Sequence, residues 1–229
     1  MATVSLPGGP TVNYREWGRP DGAVVLLLHG LTASSSSWRN VAPVLGENFR
    51  VVAPDARGHG GSQWMRVYTF EVMRDDVVKF MEQLGFLAAI VVGHSMGAVT
   101  AYELAATHPE LIRLLVLEEM PPPDPANPPL TIPRRRNPNA NYDWRAEIAV
   151  KRWRNAPPPG WWELASKIQA NTLVLGADQS SLRQSRLEDL SRRIPHATFA
   201  SMNCTHDGHE ERPSEFLIPV QPFISYFAK

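Results

Sequence analysis

Cysteine is almost missing from this chain: its 229 residues include one, Cys204. No internal disulfide framework can form, and a single thiol cannot build a cysteine-based zinc site. Net charge is missing too, because 23 basic side chains balance 23 acidic ones. A neutral chain without clustered basic and aromatic residues offers no footprint for nucleic acid or for an anionic membrane surface. Nor is there a run of the roughly 18 apolar residues that a spanning helix needs. The opening segment, Met1 to Pro7, has no positive leader and no apolar stretch of the signal-peptide kind. These absences give the expectation of a cytoplasmic protein, monomer or homodimer, whose partner is a small-molecule substrate. No repeat of solenoid or propeller length appears, and the length suits one core.

What the chain does have is a rhythm. Short apolar runs at Val24–Leu28, Arg50–Ala53, Ala89–Val92, Leu114–Leu117 and Thr172–Leu175 alternate with helical patterns. A strand covered by helices on both faces reads as a continuous apolar run, so these predict a mostly parallel sheet. Helices are expected at Trp38–Leu45, Phe70–Leu84, Met96–His108, Leu182–Arg193 and Ser214–Phe227, the third stopped by Pro109. A hairpin, Thr3–Leu6 and Thr11–Trp17, turns through Pro7-Gly8-Gly9-Pro10, and Thr198–Ser201 supplies a last strand. The fold class is α/β, with about eight strands flanked by helices.

Residues 121–165 break the rhythm. They hold eleven of the 21 prolines and four of the seven tryptophans. That is too much proline for a sheet strand and too much aromatic surface for a disordered linker. The expected organisation is a core of 1–120 and 166–229, with 121–165 inserted after the sixth strand as a small lid. Trp144, Trp153, Trp161 and Trp162 are candidates for an apolar substrate pocket. The lid also carries Arg134, Arg135, Arg136, Arg145, Lys151, Arg152 and Arg154 against fewer acids. Such charges belong to the wet side of lid helices or greet a substrate carboxylate.

The chemistry centres on Gly93-His94-Ser95-Met96-Gly97, directly after an apolar strand and directly before a helix. The string alone is weak, but a serine on a tight strand-to-helix turn has its hydroxyl pushed out above the sheet. It also sits at the positive end of the following helix. His29-Gly30-Leu31 ends another strand, and the amides of Leu31 and Met96 are the natural pair for an oxyanion hole.

The strings His29-Gly30-Leu31-Thr32, Asp55-Ala56-Arg57-Gly58-His59-Gly60-Gly61-Ser62 and Gly93-His94-Ser95-Met96-Gly97 occur in that order and spacing. Together they resemble the α/β-hydrolase superfamily, in particular its esterase, lactonase and C–C hydrolase branch. The resemblance implies an order of nucleophile, acid, then histidine along the chain. It gives Ser95 as nucleophile and His206 as base, since Thr205-His206-Asp207-Gly208-His209-Glu210-Glu211-Arg212-Pro213 is similar to the superfamily's ending. Thr205 stands where glycine is usual, so a different loop path would promote His209. For the acid, Asp178 just past the strand Thr172–Leu175 is the expected residue, with Glu119, beside Glu118, as the alternative. Asp55 and Arg57 read as a structural turn, and Cys204 as a space-filler rather than a nucleophile. The implied reaction is hydrolysis of a small carboxylic ester, lactone or thioester through an acyl-enzyme, with no metal and no cofactor. Alternatives on the same scaffold are C–C hydrolysis of β-diketones or ring-cleavage products, cofactor-free oxygenation or perhydrolysis, and a small-molecule receptor without turnover. A serine nucleophile argues against epoxide hydrolase and haloalkane dehalogenase chemistry, which the resemblance associates with aspartate.

Overall fold

The computed structural model describes residues 1–227. Eight strands form one sheet: β1 (Ala2–Ser5), β2 (Thr11–Gly18), β3 (Val24–Leu28), β4 (Arg50–Pro54), β5 (Ala89–His94), β6 (Ile112–Glu118), β7 (Asn171–Ala177) and β8 (Ala197–Met202). Their spatial order is β1-β2-β4-β3-β5-β6-β7-β8. β1 and β2 pair antiparallel, and β2 joins β4 antiparallel; every later pairing is parallel. The helices are α1 (Ala42–Gly46), α2 (Phe70–Gln83), α3 (Met96–Thr107), α4 (Trp144–Asn155), α5 (Gln184–Arg193), α6 (Gly208–Glu211) and α7 (Pro213–Phe227).

The central strands are buried on both faces because alternate residues enter separate cores. Leu26, Val91, Leu115 and Val174 pack with α2, α3 and α5 on one side. Val25, Leu27, Ile90, Val92, Leu114 and Val116 meet Trp38, Leu45, Phe216, Val220 and Ile224 on the other. That is period-two alternation under two apolar layers. α3 is apolar nearly all round, as a helix sandwiched between sheet and outer helices must be.

The helix expected over Trp38–Leu45 is instead two pieces, a 3-10 turn at Ser35–Asn40 followed by α1. Pro43 supplies no N–H and suits the first turn of a helix, and α1 restarts with that proline in its first turn. The 121–165 segment contributes α4 and enters a 3-10 turn at Trp162–Lys167. Its Asp143 caps α4 and also accepts a hydrogen bond from Tyr68 Oη at 2.6 Å, which ties the segment to the core. No helix among the described residues is long and apolar enough to cross a membrane.

Candidate active site

Ser95 follows β5 and opens α3 with φ +51°, a region that costs a non-glycine residue free energy. The flanking glycines are required by contact. A Cβ on Gly97 would lie 2.1 Å from the Leu28 carbonyl oxygen, and one on Gly93 would lie 2.5 Å from that of Gly97. The turn thus presses α3 against β3 and lifts the Ser95 side chain above the sheet edge. The Ser95 N–H donates to the Glu118 carbonyl at 3.0 Å, fixing the elbow to β6. Among the described residues, the positive-φ residues other than glycine are Thr32, Ser95 and Glu119. Thr32 and Ser95 line the same cavity, and Glu119 reaches it through His206.

His206 arrives from the loop after β8. Its Nε2 lies 3.0 Å from Ser95 Oγ, and its Nδ1 lies 2.9 Å from Glu119 Oε2. Burial lowers the imidazole pKa, but the hydrogen bond and charge of Glu119, with Asp207 and Glu118 behind them, raise it further, and the net shift is upward. The carboxylate is held on every side. Glu119 Oε1 accepts from the Ala177 N–H at 2.8 Å and from Gln184 Nε2 at 3.1 Å, while Oε2 also accepts from Ser180 Oγ.

The structure does not bring the expected acid, Asp178, to His206. It lies one residue beyond β7, exposed, and its backbone N–H donates to Met202. The carboxylate that faces His206 comes from the end of β6 instead. Glu118 and Glu119 diverge there. Glu119 turns toward His206, whereas Glu118 Oε1 accepts the His209 N–H at 2.9 Å and its Oε2 lies 2.8 Å from His209 Nδ1. His209, the alternative base, is thus buried away from Ser95, with its ring stacked on Trp38 at 4.0 Å between centroids. A residue that sequence reasoning assigned no role, His94, donates from Nε2 to the His206 carbonyl at 2.9 Å and so braces the His206 loop.

His94, Glu118 and His209 form the one grouping among the described residues with metal-ligand spacing, one ligand atom of each lying within 4.8 Å of the others. Two of its members bear on the His206 loop, Glu118 through the His209 N–H and His94 through the His206 carbonyl. Cys204 is buried, and burial with the nearby Glu118 and Glu119 pushes its pKa up to about 12, which disfavours the thiolate. Asp55 takes N–H bonds from Ser35 at 2.6 Å and Gly61 at 2.8 Å, and Arg57 pairs with Asp76 rather than Asp55, through two 2.6 Å contacts. Both residues build the turn around His59.

A cavity of about 810 Å³, open to solvent, lies above Ser95. Its walls include Leu31, Phe70, Met96, Leu130, Val150 and Trp153, with Glu147, Lys151 and Arg154 on the α4 side. Among the described residues the amides of Leu31 and Met96 have no protein acceptor, which leaves both free beside Ser95. Of the four tryptophans, Trp153 lines the cavity. Trp161 is buried instead against Tyr102, whose hydroxyl donates to the Trp161 carbonyl at 2.9 Å. Trp162 packs beneath Arg186 and Arg193, and Trp144 starts α4 partly exposed, outside the cavity wall. Of these, Trp161 covers the outer side of α3 through Tyr102.

A family model for the alpha/beta hydrolase fold matches residues 23–152, more than half of the chain. The chain belongs to that family of hydrolases. The AB hydrolase superfamily protein YfhM of Bacillus subtilis is 34% identical over 119 residues, 50% of this chain and 42% of that protein. The bifunctional esterase/perhydrolase DCH of Acinetobacter calcoaceticus is 35% identical over 126 residues, 53% of this chain and 46% of that one. A fluoroacetate dehalogenase of Burkholderia is 36% identical over 121 residues, 50% of this chain and 39% of that one. The chain spans less than half the length of these relatives. The enol-lactonase from Burkholderia xenovorans LB400 superposes with a TM-score of 0.85 at 21% identity, over 98% of this chain and 100% of that one, a likeness of fold.

Proposed function

We propose that the protein is a serine hydrolase of small carboxylic esters, lactones or thioesters, with Ser95, His206 and Glu119 as its triad. The observation that carries this reading is one imidazole within hydrogen-bonding distance of both a strained serine hydroxyl and a buried carboxylate. The relatives include an esterase/perhydrolase and a dehalogenase, and the residue at the elbow here is an alcohol, suited to acyl transfer.

In this mechanism Ser95 Oγ attacks the substrate carbonyl carbon while His206 Nε2 takes its proton. The Leu31 and Met96 amides hold the developing oxyanion; loss of one such donor elsewhere costs roughly a hundred- to a thousandfold in rate. The imidazolium, stabilised by Glu119, gives its proton to the departing alkoxide or thiolate, leaving an acyl-serine. Water then attacks the acyl carbon, His206 takes the water proton, and collapse returns that proton to Ser95 Oγ and releases the acid. The 121–165 segment acts as lid, since α4 supplies one wall of the cavity. Protein groups carry every step.

Ser95→Ala tests the assignment. Purified protein should hydrolyse p-nitrophenyl acetate and be labelled by a fluorophosphonate, and the variant should lose both while keeping its melting temperature. Turnover undiminished in the variant would refute the role of Ser95. A panel of lactones, thioesters and β-diketones then ranks the scissile bond.

A further inference from the structure

The cavity above Ser95 has mixed walls, and its charges are unequally matched. Lys151 Nζ lies 2.7 Å from Glu147 Oε1, so these two neutralise each other, and Tyr142 Oη adds a hydrogen bond to Glu147 at 2.8 Å. Arg154, one turn further along the same face of α4, is different. Among the described residues no carboxylate pairs with it and no hydrogen bond engages it. Of the other arginines in this part of the chain, Arg145 pairs with Asp143, Arg183 with Asp124, and Arg136 lies over the Trp64 ring, while Arg134, Arg135 and Arg152 are exposed to solvent.

Arg154 is half-buried. It lines both the cavity over Ser95 and an adjoining hollow walled by Pro121, Pro123, Leu130 and Trp153. The one carboxylate of that second hollow, Asp124, is the partner of Arg183. A guanidinium partly out of water among apolar side chains and without a counter-ion is costly to keep, and its cost falls when an anion arrives. Burial alone draws its pKa below the ordinary arginine value, which is the electrostatic mark of that missing partner.

We propose that Arg154 is a recognition site for a carboxylate on the substrate, so that the preferred substrate is an ester bearing a free carboxylate at the end away from the scissile bond. The planar fork of a guanidinium matches a carboxylate in bidentate fashion. A monoanion fits better than a dianionic phosphate, because one positive charge is uncompensated and Glu147 lies in the same wall. The apolar side chains that line the same cavity as Ser95 and Arg154 suit the methylene spacer of such a molecule. This inference rests on the esterase reading, which places the scissile carbonyl at Ser95.

Two pairs matched in chain length test it: monomethyl adipate against methyl hexanoate, and 4-acetoxybutanoate against butyl acetate. The first places the carboxylate on the acyl side, the second on the alcohol side. In at least one pair the anion should have the higher kcat/KM, and Arg154→Gln should lower the anion-to-neutral ratio by about ten- to a hundredfold, the value of one charged hydrogen-bonding partner. Arg154→Lys should restore part of the ratio. No anion preference in either pair, or a ratio unmoved in Arg154→Gln, overturns the proposal. A second arm does not depend on turnover. Glutarate binding to Ser95→Ala, followed by calorimetry, should weaken about tenfold or more in Ser95→Ala/Arg154→Gln. If no ester of any kind is cleaved, the esterase reading fails, while this arm still decides whether Arg154 binds carboxylates; equal glutarate affinity in the two proteins refutes that binding.

Discussion

Replacing Glu119 by glutamine exchanges one carboxylate oxygen for an NH₂, and the hydrogen bonds around it determine which way the new amide must sit. Oε1 receives two donors, the Ala177 N–H at 2.8 Å and Gln184 Nε2 at 3.1 Å. The backbone N–H cannot turn round, and the Gln184 amide also donates to the Leu182 carbonyl at 3.0 Å, which holds its orientation. The Ser180 hydroxyl on Oε2 can rotate and accept instead, so in Glu119→Gln the new amide oxygen occupies the Oε1 position and the new NH₂ faces His206. That NH₂ can only donate, so His206 Nδ1 must accept and the ring proton moves to Nε2. The nitrogen that should take the Ser95 proton is then already protonated. Turning the amide over would leave two buried donors facing an NH₂, at about 1–3 kcal/mol each. The productive arrangement is thus disfavoured by about 2–6 kcal/mol, and kcat should fall by about 10² to 10⁴-fold, the upper figure matching an acid-to-amide change in a serine protease triad. Asp178→Asn, at an exposed position outside the site, should change kcat by less than about twofold. The pH profile adds a second reading. The base must be neutral, so kcat/KM rises with pH through the His206 pKa, which Glu119 holds above the ordinary 6.5. In Glu119→Gln the lowering by burial remains and the main raising causes go, so the acid limb should move to lower pH. Stopped-flow hydrolysis of a fluorogenic ester between about pH 5 and 9 measures both effects. Asp178→Asn proving as damaging as Glu119→Gln would refute the reasoning.

Three further predictions concern stability. Glu103 is buried in α3, and burial, with Glu71 adding, raises its pKa from 4.5 to about 7. The folded state therefore keeps a proton that the unfolded state releases, and stability declines as pH rises from about 4.5 to about 7. Urea unfolding of Glu103→Gln should show a gain of about 1–3 kcal/mol at about pH 8 and none at about pH 4; equal effects at both would discount the shift. Gly97→Ala should lower the melting temperature sharply, because its Cβ would sit 2.1 Å from Leu28 backbone, a clash worth about 3 kcal/mol or more. Gly85→Ala, where nothing lies within 4 Å of the added Cβ but φ is +68°, should cost only about 1–2 kcal/mol.

The parts of this protein legible in its sequence are those where one physical requirement acts locally. A strand covered on both faces has to be apolar throughout, so five central strands could be located within a few residues from composition alone. A tight strand-to-helix turn needs glycine where backbones touch, so Gly93, Ser95 and Gly97 announced the elbow together. Which carboxylate faces His206 was not legible in this way, because its selection is a matter of direction rather than of residue type. Asp178 and Glu119 both follow apolar strands, and β6 and β7 are neighbours in parallel register, with Glu118 opposite Leu175. Their carboxylates therefore start from the same sheet edge. What separates them is the backbone after each strand: Glu119 adopts φ +47°, with its N–H on the Leu175 carbonyl, and that bend delivers its side chain to His206. Two consecutive glutamates invite the reading of a wet edge, yet both are fully buried here, each holding a different histidine of the same loop. The available sign was their position, at the end of a strand too apolar to tolerate solvated neighbours. Two acids there must be satisfied by protein donors, and Thr205 to His209 is the segment that brings histidines within reach.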